Sequence, residues 1–361
     1  MIPFINLDKQ QLRIKKEIDL GIQKVLEHCF FVMGPEVKEL EKKLAEYVGV
    51  KHCIACANGT DALTLVLLAI GIKPGDEIIV PDFTFYATTE SASILGGVPV
   101  FCDIDPISYN LDPSKIEEKI TSNTKAIIPV SLYGQCPDLD AINKIAKKHN
   151  IPVIEDAAQS FGATQNGNKS CSLTDFATTS FFPTKPLGCY GDGGAIFTND
   201  DEYAAHIGSL RLHGAEGRYY HTRIGMNSRL DSIQAAILLE KIKILDDEIE
   251  KRQAIADRYS SLLSSYVGVP KVLDGNSSAW AQYSILVDDR EEFMKKMSEL
   301  GVPTMVHYPR PLSKQPIYEE LNQTPQPISL DISQKVVSLP FDPYLDEETQ
   351  DKIIEAVKKS V

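Results

Sequence analysis

The 361-residue sequence lacks any run of about 18 apolar residues, the length that a helix needs to cross a membrane. Its first residues, Met1 to Asp8, also lack the basic start, the apolar stretch and the small-residue cleavage site of a secretory signal. We find no low-complexity segment and no internal repeat. These absences predict a globular protein of the cytoplasm that has no membrane partner.

Positive charge is scarce, because 37 lysines and arginines stand against 50 aspartates and glutamates, and the formal net charge is −13. Proteins that bind nucleic acids or acidic membranes in general need a cationic field to attract phosphate. The composition therefore argues against nucleic acid as a partner. Any anionic ligand has to be bound by a few local groups.

Cysteines are few and odd in number, seven in all, and they are scattered along the chain. This usage suits a reducing compartment better than a disulfide framework. Cys53 and Cys56 have the C-x-x-C spacing, but a zinc site would need a second pair and a thioredoxin-like site would need the motif to open a helix. We therefore predict core thiols and no metal site.

Short β-rich segments alternate with helical periodicity in the first part of the chain. The predicted strands include 52–55, 77–80, 98–101, 124–130 and 152–154, and the predicted helices include 12–26, 36–47 and 139–149. This alternation predicts an α/β fold with a mostly parallel sheet covered on both faces. Long helices are predicted over residues 229 to 264, followed by a mixture of strands and helices. We place a large domain at 1–240 and a smaller one at 241–361.

Two segments at the ends of predicted strands combine polar or charged groups with small residues, in the place where open α/β sheets bind ligands. In Asn58-Gly59-Thr60, the free N–H groups at the start of a helix would bind an anion, or Asn58 or Thr60 would act as an ordinary cap. In Glu155-Asp156, at least one carboxylate would be buried and need a cationic partner, or the segment would cap a helix.

A third segment, Ser180 to Gly188, places Lys185 among aromatic residues and prolines. A lysine that is removed from water loses its proton more easily and becomes a nucleophile able to form a Schiff base. The alternative is a surface lysine in a turn. The glycines at 188, 191, 193 and 194 do not have the G-x-G-x-x-G spacing, which excludes a dinucleotide site.

In this order, Asn58-Gly59-Thr60, Glu155-Asp156-Ala157-Ala158-Gln159 and the segment from Ser180 to Lys185 resemble the DegT/DnrJ/EryC1/StrS sugar aminotransferases. The resemblance runs from Ile5 to Leu339-Pro340 and covers nearly the whole chain. It implies the aspartate-aminotransferase-like fold (fold type I). Such a fold has a large domain with a mostly parallel seven-stranded sheet and a smaller C-terminal α+β domain. The resemblance also implies pyridoxal 5′-phosphate (PLP) as the cofactor.

The resemblance assigns roles to individual residues. It implies that Lys185 is the catalytic residue, which carries PLP as a Schiff base and moves the proton. Asp156 would keep the ring nitrogen protonated, Gln159 would hydrogen-bond the phenolic oxygen, and Phe85 would stack on the ring. The residues implied at the cofactor phosphate are Gly59, Thr60, Ser180 and Asn227.

The implied position of Asn227 has a consequence for assembly. In this family the matching asparagine comes from the neighbouring subunit, so the resemblance implies a homodimer with shared active sites. Some relatives carry histidine in place of the lysine and act as dehydratases, so Lys185 favours transamination. The intact set of Lys185, Asp156 and Gln159 argues against a rival hypothesis, a catalytically silent PLP-fold binding protein.

Three further segments bear on the substrate. They are residues 129–136, 185–194 and 303–309. Each resembles the corresponding segment of family members that act on UDP-2-acetamido-2-deoxy-3-oxo-D-glucuronate in lipopolysaccharide O-antigen biosynthesis. The resemblance implies a UDP-linked keto-sugar as the amino acceptor and glutamate, converted to 2-oxoglutarate, as the donor. The alternative acceptor is a 3-keto or 4-keto 6-deoxy nucleotide sugar.

A sugar with a C6 carboxylate needs a cation. Arg229, two residues after Asn227, would offer a bidentate fork to that carboxylate, while His307 and Tyr308 would hydrogen-bond the sugar or the pyrophosphate. For a deoxy sugar Arg229 would instead be structural and satisfy backbone carbonyls. The segment around Arg218 would suit either a nucleotide or a subunit interface.

Overall fold

The computed structural model describes residues 2–361. The helices are α1 (Asp8–His28), α2 (Pro35–Val48), α3 (Gly59–Ala69), α4 (Ala87–Ser93), α5 (Leu139–His149), α6 (Asp201–Leu210), α7 (Ser232–Lys241), α8 (Leu245–Leu263), α9 (Arg290–Glu299), α10 (Pro327–Lys335) and α11 (Glu347–Ser360). No helix within residues 2–361 has both the length and the apolar composition needed to cross a membrane.

Strands alternate with these helices along the chain. They are β1 (His52–Cys56), β2 (Glu77–Pro81), β3 (Val98–Cys102), β4 (Thr124–Ile127), β5 (Ile154–Asp156), β6 (Thr164–Gln165), β7 (Asn168–Lys169), β8 (Phe176–Ser180), β9 (Gly194–Thr198), β10 (Ala215–Gly217), β11 (Tyr220–His221), β12 (Tyr283–Leu286) and β13 (Val336–Leu339). Two small hairpins, β6–β7 and β10–β11, lie outside the main sheet.

Seven strands form the central sheet in the order β3-β2-β4-β5-β8-β9-β1. Ladders join β3-β2-β4 and β5-β8-β9-β1, and two parallel bridges, Ile127 with Val153 and Val130 with Asp156, connect β4 to β5. Within this sheet β9 alone runs antiparallel to its neighbours. The mostly parallel sheet predicted from the sequence pattern is confirmed, and so are the seven strands that the resemblance implies.

The sheet is buried on both faces, as its apolar strands require. Successive side chains of a strand point to opposite faces, and Ile54 and Ile196 accordingly pack in one core while Ala55 and Phe197 pack in another. The first core contains α3 and α6, and the second contains α2 and α7. The sheet therefore lies between two helical layers.

A separate hydrophobic core lies among residues 255–357, with side chains from α8, α9, α11 and the antiparallel pair β12–β13. The long helical region predicted over residues 229 to 264 consists of α7 and α8, which a short 3-10 turn at Ile242–Ile244 separates. This core matches a smaller α+β unit. The boundary between residues 240 and 241 stays a prediction.

Two buried carboxylates attach a C-terminal segment, residues 313–329, to the ends of β2 and β3. Asp82 accepts hydrogen bonds from the N–H and the hydroxyl of Ser313, at 2.7 and 2.8 Å, and from the N–H of Gln326 at 2.9 Å. Asp103 accepts the N–H and the hydroxyl of Ser329, both at 2.9 Å. The 313–329 segment is therefore held against the carboxyl edge of the sheet.

Replacement of Asp103 by alanine should destabilise the fold, because it leaves the two buried donors of Ser329 without their acceptor. An unsatisfied buried group costs about 1–3 kcal/mol, so we predict a loss of about 2–4 kcal/mol in the free energy of unfolding. Urea unfolding followed by the fluorescence of the single tryptophan, Trp280, measures the loss. The exposed Asp274→Ala variant should stay within about 0.5 kcal/mol of the wild type, and an equal effect of both substitutions would contradict the prediction.

Candidate active site

The three segments singled out in the sequence meet at the carboxyl edge of the sheet. Asn58-Gly59-Thr60 follows β1, Asp156 ends β5 and Ser180 ends β8. β1 and β8 are both antiparallel to β9, and β5 is parallel to β8, so the three strands run in one direction. This edge is where open α/β sheets bind ligands.

The start of α3 lies beside the end of β8. The Asn58 side chain caps the helix by accepting the N–H of Asp61 at 2.8 Å. The N–H groups of Gly59 and Thr60, at the start of the helix, have no partner within it. A Cβ at Gly59 would lie 2.8 Å from the Cβ of Ser180, so glycine allows the helix start and the serine to come together. Capping by Asn58 and an anion site at Gly59 and Thr60 are therefore compatible.

Asp156 is a buried carboxylate that lacks a cation of its own. It is 6% exposed, its Oδ2 accepts the hydroxyl of Thr88 at 2.8 Å and its Oδ1 accepts the N–H of Ala158 at 3.2 Å. Burial raises the pKa of Asp156, while the two hydrogen bonds and the charge of Lys185 act against that rise. Within residues 2–361 Asp156 forms no salt bridge, and a buried anion needs a positive partner. A protonated ring nitrogen would supply one.

The neighbouring Glu155 is also buried, but neutral groups satisfy it. Its carboxylate accepts the hydroxyls of Ser131 and Ser170 at 2.6 and 2.7 Å and the N–H of Cys171 at 2.8 Å. Burial is the main cause of a raised pKa for Glu155. Glu155 therefore stabilises the loops around β5, and Asp156 is the acid available to a ligand.

Lys185 lies half-buried in the turn that follows β8, where its N–H donates to the carbonyl of Phe182 at 2.9 Å. Burial lowers the pKa of Lys185, and the nearby charge of Asp156 only partly opposes that shift. A lower pKa increases the fraction of neutral amine, which is the nucleophilic form. A freely solvated surface lysine does not fit this environment.

Gln159 joins two tyrosines in the interior of the site. Its Oε1 accepts the N–H of Tyr133 at 2.6 Å, and its Nε2 donates to the hydroxyl of Tyr308 at 3.1 Å. A carboxamide nitrogen carries two hydrogens, so the second remains available to a ligand. Burial raises the pKa of Tyr308, which keeps its hydroxyl protonated.

Phe85 lies in the loop between β2 and α4 and is unusually exposed for its size, at 54%. Its ring centroid is 5.7 Å from that of Tyr308. Three residues later the same segment carries Thr88, the side-chain donor to Asp156. An exposed aromatic ring in this place offers a stacking surface to a flat ligand.

His307 is neutral at ordinary pH. Burial, together with the positive charge of Lys185, lowers the pKa of His307 to about 4. Its Nδ1 lies 2.8 Å from the hydroxyl of Ser338, and its carbonyl accepts the hydroxyl of Tyr133. The structure thus brings His307 and Tyr308 to the side of Lys185 and Gln159. Their contact with a sugar stays a prediction.

Asn227 and Arg229 belong to the segment between β11 and α7, and neither side chain hydrogen-bonds the residues described above. Ser228, which lies between them, accepts the N–H of Ala57 at 3.2 Å, next to Asn58. Asn227 is exposed and forms a β-bridge with Leu212. Arg229 is half-exposed, and within residues 2–361 its guanidinium has no hydrogen-bond partner. The alternative role considered for Arg229, hydrogen bonding to backbone carbonyls, is therefore not seen within residues 2–361.

Sequence reasoning missed two residues of the site, Thr88 and Tyr133. Both lie close in sequence to residues that were assigned a role. The hydroxyl of Thr88 donates to the buried Asp156, and the N–H of Tyr133 donates to the buried Gln159. Buried polar atoms are almost always hydrogen-bonded, so a search for the donors that a buried acid requires is the signal that could have indicated Thr88.

The donor set fits the PLP that the resemblance implies. The helix start at Gly59 and Thr60 and the hydroxyl of Ser180 suit a phosphate. The carboxylate of Asp156 suits a protonated pyridine, and the amine of Lys185 suits an aldehyde. Each charged or reactive part of the cofactor therefore has a complement at this edge of the sheet.

Comparison of sequences finds nucleotide-sugar aminotransferases as relatives. The chain is 56% identical over 347 residues to the UDP-2-acetamido-2-deoxy-3-oxo-D-glucuronate aminotransferase of Pseudomonas aeruginosa, with 96% of each chain covered. It is 45% identical over 360 residues to the dTDP-3-amino-3,6-dideoxy-alpha-D-galactopyranose transaminase of Aneurinibacillus thermoaerophilus, with 99% of each chain covered.

Comparison of structures gives the same result. The crystal structure of DesV from S. venezuelae in complex with a ketimine intermediate has a TM-score of 0.96 to this chain at 35% identity, covering 99% of this chain and 98% of that one. Residues 12–358 match the family of DegT/DnrJ/EryC1/StrS aminotransferases. The similarity inferred from the sequence motifs is therefore confirmed in sequence and in fold, and the chain belongs to the DegT/DnrJ/EryC1/StrS aminotransferase family.

Proposed function

We propose that this aminotransferase uses PLP to transfer the amino group of glutamate to UDP-2-acetamido-2-deoxy-3-oxo-D-glucuronate, which yields the 3-amino sugar for lipopolysaccharide O-antigen biosynthesis. The main support for a PLP site is the carboxylate of Asp156. It is buried, it lies beside Lys185, and it has no salt-bridge partner within residues 2–361. The 56% identity to the Pseudomonas aeruginosa enzyme supports the choice of sugar.

The residues of the site would hold PLP by three kinds of contact. The N–H groups of Gly59 and Thr60 and the hydroxyl of Ser180 bind the phosphate. Asp156 would pair with a protonated ring nitrogen, and Phe85 would stack on the ring. Gln159 would donate its remaining side-chain N–H to the phenolic oxygen.

When bound, PLP supplies an electrophilic carbon that receives the amino group and an electron-withdrawing ring that stabilises charge on the neighbouring carbon. Lys185 then acts as base and acid. Its Nζ takes the proton from the α-carbon of the amino donor, and it later returns a proton to the sugar carbon that receives nitrogen. The lowered pKa of Lys185 favours the first of these steps, and the nearby carboxylate of Asp156, which partly opposes that lowering, favours the charged amine that follows.

Arg229 is the cation proposed for the C6 carboxylate of the sugar. Its guanidinium has no partner within the described residues, so it is available to form a bidentate pair with a carboxylate. A 6-deoxy sugar, the type of substrate named for the Aneurinibacillus thermoaerophilus relative, has no such group. The response of Arg229 variants to the two kinds of sugar therefore separates the alternatives.

The active sites are proposed to be shared within a homodimer, with Asn227 completing the phosphate site of the partner subunit. Asn227 is exposed and hydrogen-bonds no side chain of its own cofactor site. The chain also exposes large apolar side chains, Phe30 at 65%, Tyr219 at 84% and Ile224 at 87%. Single exposed apolar residues are common, but a contiguous apolar patch marks a site of association, and Phe30 adjoins the exposed Phe31 and Val32.

We propose a cytoplasmic location because the cysteines form no disulfide bonds within residues 2–361. All seven are free thiols, and six of them are buried. Free thiols persist in a reducing compartment. Nucleotide sugars and glutamate are the partners proposed there.

Lys185→Ala should abolish both half-reactions. In the wild type, glutamate should bleach the visible absorbance of bound PLP and the 3-oxo-glucuronate should restore it, with ping-pong kinetics. Without the lysine amine, turnover should fall by at least about 10³-fold, since general acid–base catalysis alone contributes about 10²–10⁴-fold. Lys144→Ala, at an exposed lysine of α5, is the control and should behave as wild type. If only a 4-keto 6-deoxy sugar restored the absorbance, the proposed transamination would stand but the proposed sugar would be wrong.

Arg229→Gln should raise the KM for the 3-oxo-glucuronate by about tenfold to a hundredfold, because a hydrogen bond to a charged group contributes about 1.5–3 kcal/mol. The glutamate half-reaction should keep its rate. Steady-state kinetics with the matching UDP-linked 3-oxo sugar that lacks the carboxylate provide the comparison. The variant and the wild type should use that sugar equally, and an equal defect with both sugars would assign Arg229 to another role.

Mixed dimers test the shared site. Lys185→Ala and Asn227→Ala proteins should each be inactive, but unfolding and refolding them together should restore about a quarter of wild-type activity. Half of the dimers would then be hybrids with one intact site of two. A mixture that stays inactive, although native mass spectrometry detects hybrids, would show that Asn227 serves its own subunit.

A further inference from the structure

The carboxylate of Asp156 has two hydrogen-bond donors, and only one of them is a side chain. Thr88 Oγ1 donates to Oδ2 at 2.8 Å, and the N–H of Ala158 donates to Oδ1 at 3.2 Å. Thr88 is fully buried and Asp156 is nearly so, which means that bulk water cannot replace the hydroxyl. Ionisation of a buried acid therefore depends on these donors.

The direction of this hydrogen bond depends on the charge of Asp156. A threonine hydroxyl has one proton and an ionised carboxylate can only accept, so the proton of Thr88 lies toward Asp156 when the acid is ionised. The hydroxyl of Thr84 lies 3.5 Å from that of Thr88, and it is the donor in that longer contact when Thr88 donates to Asp156. Such a chain strengthens the bond at its end.

Thr88 and Phe85 belong to one short segment that leads into α4. The segment thus supplies both the aromatic surface and the hydroxyl that contacts Asp156. The next residue, Thr89, is equally buried, but its hydroxyl donates to the backbone carbonyl of Tyr86 at 2.9 Å. Two adjacent threonines of the same helix therefore differ in that only one contacts the acid.

We propose that Thr88 is a positioning residue that keeps Asp156 ionised and holds it in place for the protonated ring nitrogen of PLP. The proposal rests on the placement of that nitrogen at Asp156. Without the hydroxyl, the buried carboxylate retains a proton of its own and the ring nitrogen loses its charge. Thr88 acts through Asp156 and does not contact the substrate.

The test is the protonation state of the cofactor itself. Holoenzyme reconstituted with PLP labelled with ¹⁵N in the ring shows by its NMR chemical shift whether the nitrogen carries a proton. Wild type should show the protonated shift at neutral pH, and Thr88→Val, nearly equal in shape, should move toward the unprotonated one. The dissociation constant of PLP from the apoenzyme should rise about tenfold or more, as expected for the loss of a hydrogen bond to a charged group.

Two further variants separate this role from a packing effect. Thr88→Ser keeps the hydroxyl and should restore both the nitrogen shift and the PLP affinity. Thr89→Val removes a buried hydroxyl that does not contact Asp156, and it should leave both unchanged. The thermal midpoints of the apoproteins establish that all variants are folded.

The possible outcomes are distinct. A Thr88→Val enzyme with the wild-type nitrogen shift and PLP affinity overturns the proposal. Equal losses in Thr88→Val and Thr89→Val overturn it as well, since they assign the effect to the packing of α4. An unprotonated nitrogen in the wild type refutes the placement of the ring at Asp156, and with it the proposed cofactor site on which this inference rests.

Discussion

A negative charge buried at the end of β5 is the constraint around which the site is organised. Asp156 reaches its position because β5 lies in the middle of the sheet, where helices cover both faces and water is excluded. An acid in such a place needs donors and a positive partner. Thr88 and Ala158 supply the donors, Lys185 lies close enough to oppose the rise in pKa, and the remaining need matches a pyridinium ring.

Burial shifts the other ionisable groups near this acid toward their neutral forms. His307 titrates at a pKa of about 4, and burial lowers the pKa of Lys185 and raises that of Tyr308. The positive potential for anions comes instead from backbone N–H groups at the start of α3, and in our proposal from Arg229. A protein of net charge −13 can therefore bind anionic ligands through local dipoles.

The sequence predicted those site residues whose function and position are determined by residues close to them in the chain. Lys185, Asp156 and Gly59 each lie in a short motif, and alternating strands and helices predicted the sheet whose edge unites them. β8 and β9 were not among the predicted strands, and β4 ends at Ile127, short of the predicted Val130. Pro129 has no N–H to continue a ladder, which accounts for the shorter strand.

Contacts between distant segments could not be read from the sequence. The hydrogen bond between Thr88 and Asp156 spans 68 positions, and that between Asp82 and Ser313 spans 231. Local patterns indicate that an acid at a strand end needs donors, but not which donors the fold brings to it. Asn227, in an exposed loop, was likewise assigned a role only by resemblance, and in our proposal that role lies in the site of a partner subunit.

The attachment of the 313–329 segment to β2 and β3 bears on how ligands enter. His307 and Tyr308 lie just before this segment, in a stretch also tied at Met305 by a bridge to Ser338. If this stretch and the 313–329 segment moved outward together, the buried hydrogen bonds of Asp82 would break and its carboxylate would be exposed. The bridge and these hydrogen bonds therefore hold His307 and Tyr308 beside Lys185 and Gln159 before a ligand binds, so that less binding free energy is lost to ordering the site.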